Sequence, residues 1–290
     1  MLVLLYEFCH GAPDVCYAPT CLPVAILNQD YQNLTDDEHE LVEKQTLRMI
    51  VQALQEYSKE ARQIFETTHA VSKTEVIVLA EDLVQYALEV AETYPINRRF
   101  AGFIDYKRIR WIPTPYGLLP QALLVDAKAS TENNRDTLQR SQLPMDADFQ
   151  SDGKEYSMKA GFPPHMDVEA SGGTLRAVTT SVFVHFHYKD LDAKKPPYRS
   201  LRSIYVLGIP HGRLKHKYNP NSSKTFFGQG KHSPARQEDP RIRVYFTRLM
   251  AMCPWRLQQL EYGSGDYTVA IWRDGEGPTG STAPFAFLGR

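Results

Sequence analysis

The stretch Leu118–Ala129 restricts this chain more than any other, because it reads as an apolar strand that carries charge only at Asp126 and Lys128. Residues two apart on a strand share a face, so Asp126 and Lys128 project together while Val125 and Ala127 turn the other way into apolar surroundings. Burying an unpaired charge there would cost several kcal/mol, so the strand needs an ion pair or a metal beside it. A structural Asp–Lys salt bridge meets that need, and on this motif alone it is the plainer account. Asp-x-Lys also occurs at Asp105/Lys107, Asp152/Lys154 and Asp192/Lys194. The last two sit among Gly, Pro and charged residues, where a solvated loop explains them better.

The sequence before the apolar strand suggests its partner. Phe100–Ile112 is rich in aromatic and β-branched residues, and Pro113–Gly117 is a turn cluster, so the two strands form a β-hairpin. Pairing would lay Asp105 opposite Asp126 and Lys128, bringing two carboxylates and an ammonium to one point. Phosphodiester hydrolysis can use such a set. Carboxylates hold a hard divalent cation such as Mg²⁺, and a lysine can position the attacking water or stabilise charge on the phosphate. Glu81 is the candidate for a third carboxylate.

At 290 residues the chain can bury roughly 75% of its unfolded surface, enough for one large domain or two closely packed ones. With 42% hydrophobic and 23% charged residues it is neither disordered nor collagen-like. No apolar run approaches the ~18 residues that would cross a bilayer, so no membrane is expected. Met1–Leu5 lacks a basic leader, and its apolar stretch is interrupted at Glu7, so the expected location is the cytoplasm. Cys9, Cys16 and Cys21 are far from Cys253 and form no disulfide framework. With His10 they could be read as a zinc site, but they lack the paired Cys-x-x-Cys spacing.

Charge is distributed unevenly. Residues 28–96 hold fourteen acidic side chains against five basic ones, whereas 211–248 hold nine Lys/Arg against Glu238 and Asp239. The acidic part is helical. Thr35-Asp-Asp-Glu38 is a capping box, and Leu47, Ile50, Val51, Leu54 and Tyr57 recur at helical spacing, giving a helix to about Phe65 with at most one break. A second helix is expected over about Leu79–Glu92, and a third over Thr131–Leu138. Further strands are expected at Ala177–Tyr188, Ser203–Ile209, Arg241–Phe246 and Tyr267–Trp272, with Ser151–Gly173 a loop or weak hairpin. The fold class is α/β (α+β), with a mixed central β-sheet flanked by helices.

Other residues have ordinary readings. His185 and His187 alternate with Val184 and Phe186, which fits a polar strand face better than a pair of metal ligands. Trp111, Trp255 and Trp272 are expected in the core or at an interface. No Walker A loop, dinucleotide glycine motif or Ser/His/Asp signature is present, which disfavours ATP and nicotinamide chemistry.

Several segments together carry a resemblance: GFIDYKRIRWIP (102–113), LLPQALLVDAKASTENNRDTLQRSQLPMDADF (118–149), VEKQTLRMIVQALQEYSKEA (42–61), EDLVQYALEVAETYPINRRF (81–100), GKHSPAR (230–236), RIRVYF (241–246) and CPWRLQQL (253–260). The chain resembles the SfiI family of type II restriction endonucleases, within the PD-(D/E)xK nuclease superfamily. The resemblance begins near Leu27. It implies a PD-(D/E)xK restriction-endonuclease-like fold over 28–290, leaving 1–27 as an appended arm or an artefact of start-site choice. It also implies Mg²⁺-dependent cleavage of double-stranded DNA at GGCCNNNNNGGCC, in a restriction-modification system. A homodimer assembling into a homotetramer would bridge two sites, and a cognate DNA methyltransferase would act on the same site without a stable complex.

Within that resemblance, Asp105, Asp126 and Lys128 match the catalytic signature, with Ile104 where the motif's name places proline. Arg241 and Arg243 are two apart on a strand, and arginine suits bidentate contact with guanine in a GC half-site. Arg135 and Lys231 are further candidates for base or phosphate contacts. Arg213, Lys215 and Lys217 are phosphate contacts or simply a solvated face. Two rival readings remain open: a DNA-binding protein with an inactive nuclease fold, and a structure-specific nuclease of repair or recombination.

Overall fold

The computed structural model describes residues 34–70, 72–90, 94–95, 107–114, 117–131, 135–138, 140–170, 173–191, 194–230, 241–263 and 268–273. The segment 1–27, with its three cysteines and His10, lies outside them.

Helix α1 (Asp36–Glu56) starts at the capping box read from sequence. The Thr35 amide donates to the Glu38 carboxylate at 2.7 Å and the Glu38 amide to the Thr35 hydroxyl at 3.3 Å. The expected break falls at Tyr57, after which α2 runs over Ser58–Thr67. Arg199 closes α2 from a distant strand, its buried guanidinium donating to the carbonyls of Phe65, Thr68 and Ala70 at 2.6, 3.0 and 3.1 Å. The Phe65 carbonyl is one that a helix end leaves without a partner, and those of Thr68 and Ala70 belong to the chain that leaves the helix. Helix α3 (Lys73–Val90) begins six residues earlier than its apolar periodicity suggested. Its start is a second capping box, with the Ser72 amide donating to the Glu75 carboxylate and the Glu75 amide to the Ser72 hydroxyl, both at 3.2 Å.

The strands are β1 (Tyr94–Pro95), β2 (Lys107–Thr114), β3 (Gly117–Ser130), β4 (Arg135–Leu138), β5 (Ala147–Ser151), β6 (Lys154–Met158), β7 (His165–Ala170), β8 (Gly173–Asp190), β9 (Arg199–Ile209), β10 (Phe227–Gln229), β11 (Ile242–Tyr245), β12 (Leu257–Tyr262) and β13 (Thr268–Ile271). Among the described residues the main sheet runs β1-β2-β3-β8-β9-β12-β13, with β7 also on β8. It is mixed: β3 and β8 are parallel, and its other pairs are antiparallel. Short helices α4 (Lys215–Tyr218) and α5 (Phe246–Met252) lie outside the sheet.

Alternation along β3 and β8 divides the interior in two. Leu123, Val125, Ala127, Val182, Val184 and Phe186 pack with Leu47, Ile50, Phe65 and Val84 of the three long helices. Ala122, Leu124 and Phe183 face the opposite layer, where Phe149, Phe226, Phe227, Ile242, Val244 and Phe246 meet them. Both faces are covered, which is why β3 reads as an almost continuous apolar run. Each fully buried Leu, Ile or Phe contributes about 1.5–3 kcal/mol relative to exposure. Trp255 and Trp272 lie in the helix-side core, as expected.

Two expectations are corrected. The helix over Thr131–Leu138 is not formed, because Arg135–Leu138 is strand β4, paired antiparallel with β11 from Arg135↔Tyr245 to Leu138↔Ile242. That polar segment has no apolar stripe to hold a helix against a core, and pairing satisfies its backbone groups instead. Of the two forms expected for Ser151–Gly173, a loop or a weak hairpin, the hairpin is the one formed, as β5–β6, and β7 follows it. Asp152 (φ 51°) and Gly153 (φ 73°) form its turn, the Asp-Gly pairing that a two-residue hairpin loop favours. The strand expected over Arg241–Phe246 gives way to α5 at Phe246.

A buried polar cluster ties α1 to the opposite layer. Glu43 accepts from the His211 amide and from Arg256, both at 2.6 Å, and Arg256 is fully buried between the rings of Tyr218 and Trp255. His211 stacks on His39 with ring centroids 4.6 Å apart. Its Nε2 donates to the Pro164 carbonyl at 2.7 Å while Nδ1 accepts from the Arg213 amide, so the ring is neutral in this network. Burial above all holds the His39 pKa down at about 3 and that of His211 at about 4, below the ordinary 6.5.

An unfolded chain therefore gains protons below pH 6.5 that the native pair refuses until about pH 4, and stability is lost as pH falls through that window. His39→Phe, which keeps a ring in the stack, is expected to make the decline between pH 6.5 and 5 shallower. Urea unfolding at several pH values measures it, and equal slopes would remove the pair from this account.

Candidate active site

Strand β3 lies inside the sheet between β2 and β8, and its face toward the opposite layer carries Ala122, Leu124, Asp126, Lys128 and Ser130 in succession. Asp126 is 5% exposed, and its Oδ2 lies 2.5 Å from Lys128 Nζ. Of the two partners the sequence allowed, an ion pair or a metal, the ion pair is formed, with its carboxylate buried and its ammonium partly open to solvent. Such burial costs the carboxylate its hydration, which the ammonium offsets.

Beyond Lys128 the same face is lined by β8. Lys128 and His185 are register partners across the parallel pair. His185 is 2% exposed, with Nε2 3.0 Å from Ser130 Oγ and its ring edge-on to Tyr205 and Phe246. His187 hydrogen-bonds the Thr131 backbone and lies 3.4 Å from Ser203 Oγ. Burial, and after it the neighbouring His185, lowers the pKa of His187 below the usual histidine value. The histidines thus occupy the polar face expected of them, but a second layer covers it. That covering layer is what sequence reading missed. The available signal was Ser130, two residues past Lys128 on the same face.

Asp105 and Lys231 lie outside the described residues. Glu81 is half-buried on α3. Among the described residues no group of three or more His, Cys, Asp or Glu side chains gathers around a point that could hold a metal.

The basic candidates separate into two sets. On β11, Ile242 and Val244 are buried in the core, so Arg241, Arg243 and Tyr245 alternate to the outer side. Arg243 pairs in register with Gly228 on β10 and Thr137 on β4, and Arg135 pairs with Tyr245. A Cβ on Gly228 would collide with the Tyr245 ring, which lies across it, and the Arg248 guanidinium sits 4.3 Å from that ring's centre. The small sheet thus presents arginines and one aromatic ring on one side. Near α4 the lysines are held internally: Lys215 by Asp148 at 2.5 Å and the Asn219 carbonyl at 3.0 Å, Lys217 by Glu40 at 2.9 Å. Arg213 is exposed. Asp152 and Lys154 are exposed at the β5–β6 turn, as a solvated Asp-x-Lys should be. Among the described residues no helix is long and apolar enough to cross a membrane.

A mixed sheet with helices on one face, smaller sheets on the other and an Asp-x-Lys pair on a covered central strand is the architecture of an α/β restriction endonuclease. The crystal structure of the restriction endonuclease BglI bound to its DNA recognition sequence has this fold, with a TM-score of 0.63 over 82% of this chain and 96% of that one, at 18% identity. A family model described as type II restriction enzyme SfiI matches residues 38–260. The type II restriction enzyme SfiI of Streptomyces fimbriatus is 66% identical over 252 residues, covering 86% of this chain and 94% of that protein. The crystal structure of tetrameric SfiI bound to cognate DNA superposes with a TM-score of 0.78, over 85% of this chain and 93% of that one. The chain belongs to the SfiI family of type II restriction enzymes, site-specific endonucleases.

Proposed function

We propose that this enzyme hydrolyses double-stranded DNA at the interrupted palindrome GGCCNNNNNGGCC, using Asp105, Asp126 and Lys128 with Mg²⁺ as cofactor. The observation that carries the reading is the Asp126–Lys128 ion pair set into the face of a central strand. Lys107 pairs with Leu124, and Asp105 precedes Lys107 by as many residues as Asp126 follows Leu124. Asp105 supplies the second carboxylate of the proposed site. Glu81 is the third carboxylate in this reading.

Two hard oxygen donors suit Mg²⁺, which takes one or two carboxylates and keeps several waters. When bound, the ion supplies Lewis-acid stabilisation of charge developing on the phosphate. The chain's own groups do the rest. Asp126 holds the Lys128 ammonium in place, and that ammonium directs its remaining donors at the phosphate oxygens and the attacking water.

Arg241 and Arg243 read guanines, with Arg135 beside them, while Lys231, Arg213 and Lys215 neutralise phosphates. Lys215 would exchange its Asp148 partner for a phosphate on binding. Two chains per palindrome place one centre on each strand, and two such dimers form a homotetramer that bridges two sites; the SfiI crystal structure, of a tetramer bound to cognate DNA, supports the tetramer. Residues 28–290 act as one endonuclease domain, working in the bacterial cytoplasm beside a methyltransferase that modifies the same sequence.

Sequencing the ends of a long DNA digested with Mg²⁺ tests the whole reading, because every end should map to paired GGCC half-sites. Intact DNA with shifted mobility would instead indicate a binder, and cutting confined to branched DNA a repair enzyme. Arg243→Ala is expected to reduce discrimination at one GC pair by about 1–3 kcal/mol. Competition binding with substituted half-sites measures this, and an unchanged ratio would remove Arg243 from the readers.

A further inference from the structure

The catalytic strand and the base-reading sheet are joined by one short piece of chain. β3 ends at Ser130, two residues past Lys128, and β4 begins at Arg135 and pairs along its whole length with β11, the strand of Arg243. Two side chains of β8 hold the end of β3 at this joint. His185 Nε2 lies 3.0 Å from Ser130 Oγ, and His187 hydrogen-bonds the Thr131 backbone. The His185 ring also packs edge-on against Phe246, the residue that follows β11, with centroids 5.9 Å apart. One buried imidazole therefore touches both the chain just past Lys128 and the chain just past the arginine strand.

We propose that His185 is a positioning residue, which with His187 clasps the end of β3 so that seating of the arginine strand on DNA fixes Lys128 at the scissile phosphate. The inference rests on the catalytic reading of Asp126 and Lys128 above. An imidazole suits this task, because its ring fills the space against Tyr205 and Phe246 while one nitrogen bonds Ser130. A purely apolar side chain would pack equally well but remove this side-chain bond to Ser130, leaving only the backbone pairing of β3 with β8 at that end.

His185→Phe keeps an aromatic ring and removes both nitrogens, and Ser130→Ala removes the other end of the hydrogen bond at a half-buried position. Each is expected to slow single-turnover cleavage with Mg²⁺ about 10- to 100-fold, the scale of a small misplacement of a reacting group. Affinity for the GGCC site, measured without divalent metal, should stay within about twofold of the parent, because no group in contact with DNA changes. The double variant should be no slower than either single one, and His185→Gln, which offers an amide nitrogen in place of Nε2, should recover most of the rate.

Parent-like cleavage by both single variants would overturn the inference. So would losses that multiply in the double variant, or affinity and melting temperature falling in step with rate. Lys128→Ala measured alongside separates the two claims. If it cuts at the parent rate, the catalytic reading itself is wrong. If it is inactive while His185→Phe and Ser130→Ala cut normally, only the clasp is.

Discussion

Lys128→Ala is expected to lower Mg²⁺-dependent cleavage by on the order of 10³-fold while leaving affinity for the recognition sequence nearly unchanged. The ammonium lies 2.5 Å from a carboxylate that is almost fully buried, so it is held as a localised charge beside the proposed metal position although partly open to solvent. A fixed charge contributes most where negative charge develops during reaction, and little to binding of the ground state. Lys128→Arg should rescue poorly, because a planar guanidinium paired to Asp126 presents its donors in a different geometry. Single-turnover rates and metal-free binding, measured on the same preparations, provide the check. A Lys128→Ala enzyme that still cuts at the parent rate would end the catalytic assignment.

The second large effect concerns stability. Arg256→Ala is expected to destabilise the fold by about 3–5 kcal/mol, because it strands the Glu43 carboxylate in the interior. Glu43 is 3% exposed and receives 2.6 Å hydrogen bonds from Arg256 and from the His211 amide. Burial pushes its pKa up, with the Arg256 charge pulling the other way. Removing the guanidinium also empties the space between the Tyr218 and Trp255 rings. Replacing both partners, Arg256→Met with Glu43→Leu, should cost much less than Arg256→Ala alone, because no buried charge then lacks a counter-charge. Urea unfolding of the single and double variants decides this, and equal losses would point to packing rather than charge.

Much of the candidate site was legible before the fold was known. A charge pair in an apolar strand can be interpreted locally, since side chains two apart share a face and a buried charge requires a partner. The structure supplies that partner within the motif itself. The basic segment was less transparent. Lys215, Lys217 and Arg243 look alike in sequence, yet Asp148 and Glu40 engage the two lysines, while Arg243 stands on the outer side of β11. Which carboxylate meets Lys215 or Lys217 depends on segments brought in from far away along the chain.

The sequence by itself determined the helix start at Thr35, the apolar course of β3 and the shared face of Asp126 and Lys128, because each rests on residues within one turn or two strand positions of one another. Tertiary structure alone decided that Arg135–Leu138 would be a strand, that His185 would be buried between Ser130 and Phe246, and that Arg256 would be enclosed beside Glu43. In each case the deciding partner lies 55 or more residues away in sequence. A short polar segment takes its conformation from whichever distant backbone or side chain satisfies its hydrogen bonds, and that partner is set only when the layers close.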